Sequence, residues 1–204
     1  MKNRFQFVLT ALALLGPLFG VDRALAQPAA KTASAIFAGG CFWCIEADFE
    51  KLPGVISAES GYTGGAKANP TYQEVSAGGT GHTEAVRVNY DPAKVSYSAL
   101  LEYFWHHIDP TVKDRQFCDI GNQYRAAIFY DSDQQRKVID TSRAAILKAG
   151  QVKVIETEIA SAVTFYPAED YHQDYYRKNP VRYNFYRLNC GRDARVAEIW
   201  GVKR

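Results

Sequence analysis

Methionine is missing from this 204-residue chain except at its first position. Oxidation turns a methionine side chain into a polar sulfoxide that disturbs packing, so a chain without one suits an oxidising compartment. An excess of positive charge is missing as well. The formal net charge is +2, and it belongs to the N-terminal stretch: without residues 1–26, Lys plus Arg falls from 24 to 21 and Asp plus Glu from 22 to 21. With no basic cluster elsewhere, the sequence excludes a surface built for nucleic acid or anionic lipid. Metal-binding spacing is also lacking. His82, His106, His107 and His172 do not alternate with the cysteines as ligands would, and the single C-x-x-C, Cys41-Phe42-Trp43-Cys44, has no second pair to complete a zinc site. No metal is expected, and the histidines read as structural, with His82 positioned to steady Glu84.

A membrane-spanning run is absent too. Phe5 to Gly20 is largely apolar, but it is short for a span and broken by Pro17. Lys2 and Arg4 precede it and Ala24-Leu25-Ala26 follows, the order of a secretory signal peptide over residues 1–26, with Gln27 as the mature N-terminus. Export to a bacterial periplasm is the expectation, with no stable membrane association after cleavage. Residues 27–34 are small and polar and read as a disordered lead-in. No repeat or later linker divides residues 35–204, which read as one monomeric domain; at 47% hydrophobic and 13% aromatic residues the chain can build an ample core.

What is present is a strand-and-helix alternation. Strands are predicted at Ala35–Ala38, Val55–Gly61, Ala85–Tyr90, Arg125–Tyr130 and Val152–Ile159, and helices at Phe42–Leu52, Tyr97–His107, Asp133–Lys148 and Pro167–Arg177. Ser132 with Gln135 forms a capping box and Gly150 a C-terminal stop. Asp109 to Asn122 reads as an ordered loop, and Tyr183 to Arg204 has no assignment. Interleaved strands and helices indicate an α+β fold, an α/β two-layer sandwich.

Residues 40–46, Gly-Cys-Phe-Trp-Cys-Ile-Glu, are the most informative stretch. Cys41 stands at a strand-to-helix turn, where unpaired N–H groups and the helix dipole favour a thiolate, and the glycines before it allow a sharp turn and close substrate approach. Gly40-Cys41-Phe42-Trp43 resembles the active-site signature of the peptide methionine sulfoxide reductase A family. Gly61-Tyr62-Thr63-Gly64-Gly65, Asn69-Pro70-Thr71-Tyr72, Gly81-His82-Thr83-Glu84-Ala85-Val86, Asp119-Ile120-Gly121-Asn122-Gln123-Tyr124-Arg125 and Tyr166-Pro167-Ala168-Glu169-Asp170-Tyr171-His172-Gln173 are similar to further family segments, in order over roughly residues 34 to 180.

The resemblance implies a mixed sheet around a β-α-β core, related to the ferredoxin-like fold. It implies reduction of methionine S-sulfoxide, protein-bound or free, without metal or organic cofactor, in repair of oxidised exported proteins. Cys41 would be the nucleophile, Glu84 the acid, and Tyr72 and Tyr124 donors to the sulfoxide oxygen. Phe42 and Trp43 would form the methyl pocket, and Asp119 would order the neighbouring loop or orient a water or a tyrosine. Ile120 stands where many relatives carry His. A sulfenic acid at Cys41 would then condense with a second thiol. The candidates, in order, are Cys190, Cys118 and Cys44; many relatives carry Gly at the last position and resolve from a Gly-rich tail that this chain lacks. Thioredoxin or a thioredoxin-like protein would be the reductant. The competing readings are a thioredoxin-like thiol-disulfide oxidoreductase using Cys41 and Cys44, and a non-enzymatic domain with two structural disulfides.

Overall fold

Extended backbone begins at Ala33, so the last two residues of the expected lead-in belong to the sheet, held by pairing of Ala33 with Tyr90 and Ser34 with Asn89. The computed structural model describes residues 32–201; the expected signal peptide and residues 27–31 lie outside them. β1 (Ala33–Gly39) leads to α1 (Phe42–Phe49), β2 (Val55–Thr63), the short α2 (Tyr72–Ser76), β3 (Thr83–Tyr90) and α3 (Tyr97–Trp105). A small hairpin of β4 (Arg115–Gln116) and β5 (Asp119–Ile120) and a 3-10 turn at Asn122–Tyr124 precede β6 (Ala126–Tyr130) and α4 (Asp133–Ala149). β7 (Glu158–Ser161), β8 (Tyr166–Pro167), α5 (Tyr175–Lys178), α6 (Pro180–Cys190) and α7 (Arg192–Trp200) follow.

The strands order as β7-β6-β1-β3-β2-β8. β3 runs antiparallel to both β1 and β2, so those two are parallel to each other with α1 as their crossover, a split β-α-β unit. β6 adds antiparallel to β1, and β7 parallel to β6. The succession β1-α1-β2-β3-α3-β6 with order β6-β1-β3-β2 is a ferredoxin-like core, and the expected mixed-sheet sandwich is what forms.

The two-residue period of the strands positions the site. Phe37, Val86 and Val88 join Phe42, Ile45 and Phe49 of α1 and Leu100, Leu101 and Phe104 of α3 in the main core, while Ala38, Ala85, Ala127 and Phe129 line the opposite face of the sheet. Glu84 continues the Val86–Val88 row and therefore points toward α1. A carboxyl thus enters the core at the first turn of that helix.

Two predicted elements and one predicted cap come out differently, and the unassigned C-terminus takes helical form. Over Val152–Ile159 burial alternates only from Ile155 to Glu158, Val154 being exposed, and only Glu158–Ser161 finds a strand partner, the edge of β6. The expected helix Pro167–Arg177 is broken into β8, turns and the short α5, because this segment bonds with its side chains. The Gln173 amide accepts from Ser60 N (2.9 Å) and donates to Ser60 O (2.9 Å), standing in for a neighbouring strand, and Asp174 takes a left-handed φ of 52°. The unassigned C-terminus is α6 and α7, bounded by Pro180 at the first turn and by Gly191 at φ 72°. At α4, Ser132 Oγ accepts from Gln135 N (3.3 Å), but Gln135 returns to Asp131 N instead of Ser132, so the box is half made. The complete capping box is at α2, between Thr71 and Glu74.

Candidate active site

Gly40 and Cys41 make the turn from β1 to α1. Gly40 lies at φ 81°, and a Cβ there would sit 2.6 Å from Gln116 Cβ, so both the backbone conformation and the space call for glycine. Cys41 is the N-cap of α1, at φ −48° and ψ 117°, and its carbonyl accepts from Cys44 N at 3.1 Å. Its side chain faces a cavity of about 70 Å³ lined by Cys41, Phe42, Trp43, Tyr72, Glu84, Asp119, Tyr124 and Tyr186. Seven of these eight were singled out from the sequence. A larger cavity of about 590 Å³ lies between α3 and α4 against Trp105, Val138 and Ser142, and its walls hold no cysteine and none of those residues. Chemistry, not size, marks the site.

Glu84 is 2% exposed, and its Oε2 accepts from Phe42 N at 3.0 Å. Burial pushes its carboxyl up to about 8; the Phe42 N–H opposes this and nearby Asp119 adds to it. At neutral pH Glu84 therefore keeps its proton. Cys41 is raised well above the ordinary thiol value by burial first, then by Cys44, Glu84 and Asp119. The thiolate expected from the helix start is thus reversed at rest: loss of solvent and acidic neighbours outweigh the dipole. Cys44 is brought down to about 7 by the hydrogen bond from the Cys41 thiol, with Arg192 and Arg187 assisting against burial. The resting pair holds its proton on Cys41. Tyr72 is pushed up to about 12, and Tyr124 upward as well, both chiefly by burial and secondly by Glu84, so each phenol is a hydrogen-bond donor throughout the neutral range.

Trp43 stacks on Tyr175 with ring centroids 3.6 Å apart and planes 3° from parallel, and its Nε1 donates to His172 Nδ1 at 3.0 Å. His172 also packs on Phe42 and Tyr72, with centroids at 5.0 and 4.3 Å. Glu169 bridges the far wall, accepting from Tyr62 Oη (2.8 Å) and Tyr72 N (2.8 Å). His82 does not touch Glu84. Its Nδ1 accepts from Gly65 N (3.2 Å) and its Nε2 donates to Lys67 O (2.7 Å), holding the loop after β2.

Sequence reasoning missed His172, Tyr175, Tyr186 and Arg192. Tyr186 closes the cavity and donates to Asp119 Oδ2. Arg192 is 2% exposed and donates to Gly39 O (2.7 Å) and His107 O (3.0 Å), fixing the backbone two residues before Cys41. The available signal was Asn179-Pro180 and Gly191, a helix start and stop that would have located α6.

Cys190 has a partner other than Cys41. It is bonded to Cys118, across a sequence separation of 72, and Cys41 and Cys44 are the free thiols. The bond joins the end of α6 to the β4–β5 hairpin beside Asp119, whose Oδ1 lies 3.7 Å from Cys118 Sγ. Closing a loop of that length restrains the unfolded chain by about 4 kcal/mol in the entropy account, within a usual span of about 2–5. Replacing both cysteines by alanine is expected to lower the urea midpoint to a corresponding degree, measured against wild type without reductant; unchanged midpoints would show that the bond adds no stability. Two groups have metal-like spacing among the described residues, Cys118–Asp119–Cys190 and Glu46–Glu50–Asp174. The first has its sulfurs in the disulfide. In the second, Glu46 accepts from Asp174 N (2.7 Å) and Glu50 and Asp174 both pair with Arg177.

A buried thiol at a helix start, facing a protonated carboxyl and tyrosine hydroxyls in an aromatic slot, defines a cysteine-based oxidoreductase on a ferredoxin-like core. The sequence profile described as "Peptide methionine sulfoxide reductase" matches residues 33–204, and the chain belongs to that family. It is 47% identical over 201 residues to peptide methionine sulfoxide reductase MsrA 2 of Caulobacter vibrioides, covering 98% of this chain and all of the relative. To MsrA of Bacillus licheniformis it is 49% identical, covering 86% of this chain and 97% of the relative. Among solved structures it resembles methionine sulfoxide reductase A of Corynebacterium diphtheriae, with TM-score 0.66 and 36% identity over 76% of this chain and 77% of that one. Reduced Mxr1 from Saccharomyces cerevisiae is similar at TM-score 0.69 and 31% identity, over 76% and 88% of the two chains.

Proposed function

We propose that the protein reduces methionine S-sulfoxide, in polypeptides and as the free amino acid, using Cys41 as nucleophile. The observation that carries this reading is the convergence of a buried thiol, a neutral carboxyl and two phenol donors on one small aromatic cavity. A cavity of about 70 Å³ suits a methyl group and a sulfinyl oxygen and excludes a whole side chain. Phe42 and Trp43 take the methyl group, and Tyr72 and Tyr124 donate to the oxygen as negative charge develops on it.

Glu84 donates its proton to that oxygen, which makes the substrate sulfur electrophilic. Cys41 Sγ supplies the electron pair as its own proton moves to the polarised oxygen. The substrate S–O bond breaks, the oxygen finishes on Cys41 as a sulfenic acid, and the sulfide leaves. Two electrons pass from Cys41 sulfur to substrate sulfur, and Glu84 recovers its proton. Asp119, held by Tyr186, orients the wall around Tyr124. A second thiol then condenses with the sulfenic acid, releasing water, and thioredoxin or a thioredoxin-like protein reduces the resulting disulfide.

We further place the protein outside the cytoplasm, as a monomeric periplasmic enzyme repairing exported proteins. The support is the signal-like order of residues 1–26 and the lack of methionine beyond Met1. No helix among the described residues is long and apolar enough to cross a membrane. The test of the activity supplies separated S and R epimers of N-acetyl-methionine sulfoxide with dithiothreitol, alongside insulin as a disulfide substrate. Consumption of the S epimer alone is expected. Rapid insulin reduction with no sulfide product would instead support thiol-disulfide exchange through Cys41 and Cys44. Fractionation of expressing bacteria checks the compartment, and retention in the cytoplasm would overturn export.

A further inference from the structure

We propose that Cys44, on the same helix as Cys41, is the resolving thiol of this enzyme, and that the Cys118–Cys190 disulfide stays closed through the first turnover. The inference rests on the reductase reading and names a residue for its second step.

Sulfenic acid at Cys41 needs a thiol, and the structure leaves one. Cys118 and Cys190 are bonded to each other. Cys190 is also screened from the cavity, since Tyr186 and Asp119, hydrogen-bonded together, line its wall on that side and Cys190 Sγ lies 3.9 Å from each. Cys44 is the other free thiol, one helical turn from Cys41, and its N–H donates to the Cys41 carbonyl at 3.1 Å. The N-cap position explains the reach. The N-cap side chain and that of the third helical residue lie three positions apart, on one side of the first turn. Cys41 is the N-cap of α1 and Cys44 is that third residue. A bond between them closes over the first turn without requiring the helix to unwind.

The neighbouring aromatic slot is held independently of either sulfur. Trp43 is fixed by Tyr175 and His172, and Phe42 N by Glu84, so the two sulfurs can move together while the slot stays in place. Two guanidinium groups, Arg192 buried and Arg187 partly buried, stand on the Cys44 side. Arg187 bonds Asp48 Oδ1 at 3.0 Å, and Arg192 holds Gly39 O at 2.7 Å. Both belong to the C-terminal helices α6 and α7, which bring positive charge to the second thiol. Chemically, Cys44 sulfur attacks Cys41 sulfur, the S–O bond breaks and the S–S bond forms. The sulfenic sulfur is reduced, Cys44 sulfur is oxidised, and hydroxide leaves as water with a proton from Glu84, which the Cys44 thiol proton replaces.

The test is one turnover of the full chain with N-acetyl-methionine sulfoxide in the absence of reductant, followed by acid quench, alkylation and tryptic mapping. Residues 32–51 form one tryptic peptide containing both Cys41 and Cys44, while Cys118 and Cys190 fall in residues 116–125 and 188–192. The expected product is peptide 32–51 lighter by two hydrogens, closed to alkylation and joined to no other peptide. Cys44→Ser should still release one equivalent of sulfide and leave Cys41 as a sulfenic acid trapped by dimedone. The Cys118→Ser, Cys190→Ser double variant should still give the closed 32–51 peptide. Cys41 joined to either of the other peptides, or a sulfenic acid persisting in wild type beside an alkylated Cys44, would overturn the assignment. Sulfide release with one of those patterns leaves the reductase reading intact; no release from wild type overturns both.

Discussion

Cys41→Ser is expected to remove sulfoxide reduction entirely, down to the rate in buffer. A serine hydroxyl holds its proton far more tightly than a thiol, and Glu84, the neighbouring carboxyl, is neutral near pH 7 and cannot take that proton. Cys44 cannot substitute, being 1% exposed and absent from the cavity lining. The serine is nearly the size of the sulfur it replaces, so the fold should persist, and near-ultraviolet circular dichroism checks this. The decisive measurement is sulfide formed in a single turnover at high enzyme concentration. Product at the wild-type level in a folded Cys41→Ser protein would remove Cys41 from the chemistry.

Glu84→Gln is the second large effect. Glutamine keeps the shape and can still accept from Phe42 N, but it has no acidic proton for the departing oxygen. The reductive step should slow by a factor on the order of a hundred or more, the usual scale for a lost general acid, equivalent to about 3 kcal/mol at the transition state. Its pH dependence should change too. With the wild-type carboxyl raised to about 8, the active acid form is complete at lower pH and is lost as pH climbs through about 8. Rapid-quench rates in wild type should fall over that range, and those of the variant should not. Stability follows the same sign. Because the folded value lies above the ordinary 4.5, Glu84 contributes fully below that pH, and the contribution is lost as pH rises toward and through about 8. Equal rapid-quench rates in the two proteins would place the acid elsewhere.

Much of the site was legible because its residues lie in short local motifs. Cys41, Phe42 and Trp43 sit in one turn, and the β3 period of two turns Glu84 toward the helix side of the sheet. The strands β1, β2, β3 and β6 and the helices α1, α3 and α4 could be read for the same reason: each carries its own periodicity and stops. The segment from Tyr166 to Asp174 misled because its order comes from side chains bonding to other elements, Gln173 to Ser60 and Glu169 to Tyr62 and Tyr72. A run of helix-compatible residues carries no trace of such partners. Tyr186 and Arg192 went unseen because their roles exist only against Asp119 and Gly39, which are 67 and 153 residues away in the chain.

By itself the sequence determined a thiol at a strand-to-helix turn and the alternating core on which it stands, while the resemblance of its motifs to the reductase family nominated Glu84 as the acid and Tyr72 and Tyr124 as the phenol donors. The turn and the core follow from local backbone preference and from the pattern of apolar residues, both written residue by residue. Tertiary structure alone decided the protonation of Cys41 and Glu84, since burial and neighbouring charges set it. It alone decided which cysteines pair, because four cysteines allow three pairings and only the packing of α6 against the β4–β5 hairpin brings Cys190 to Cys118 and leaves Cys44 beside Cys41.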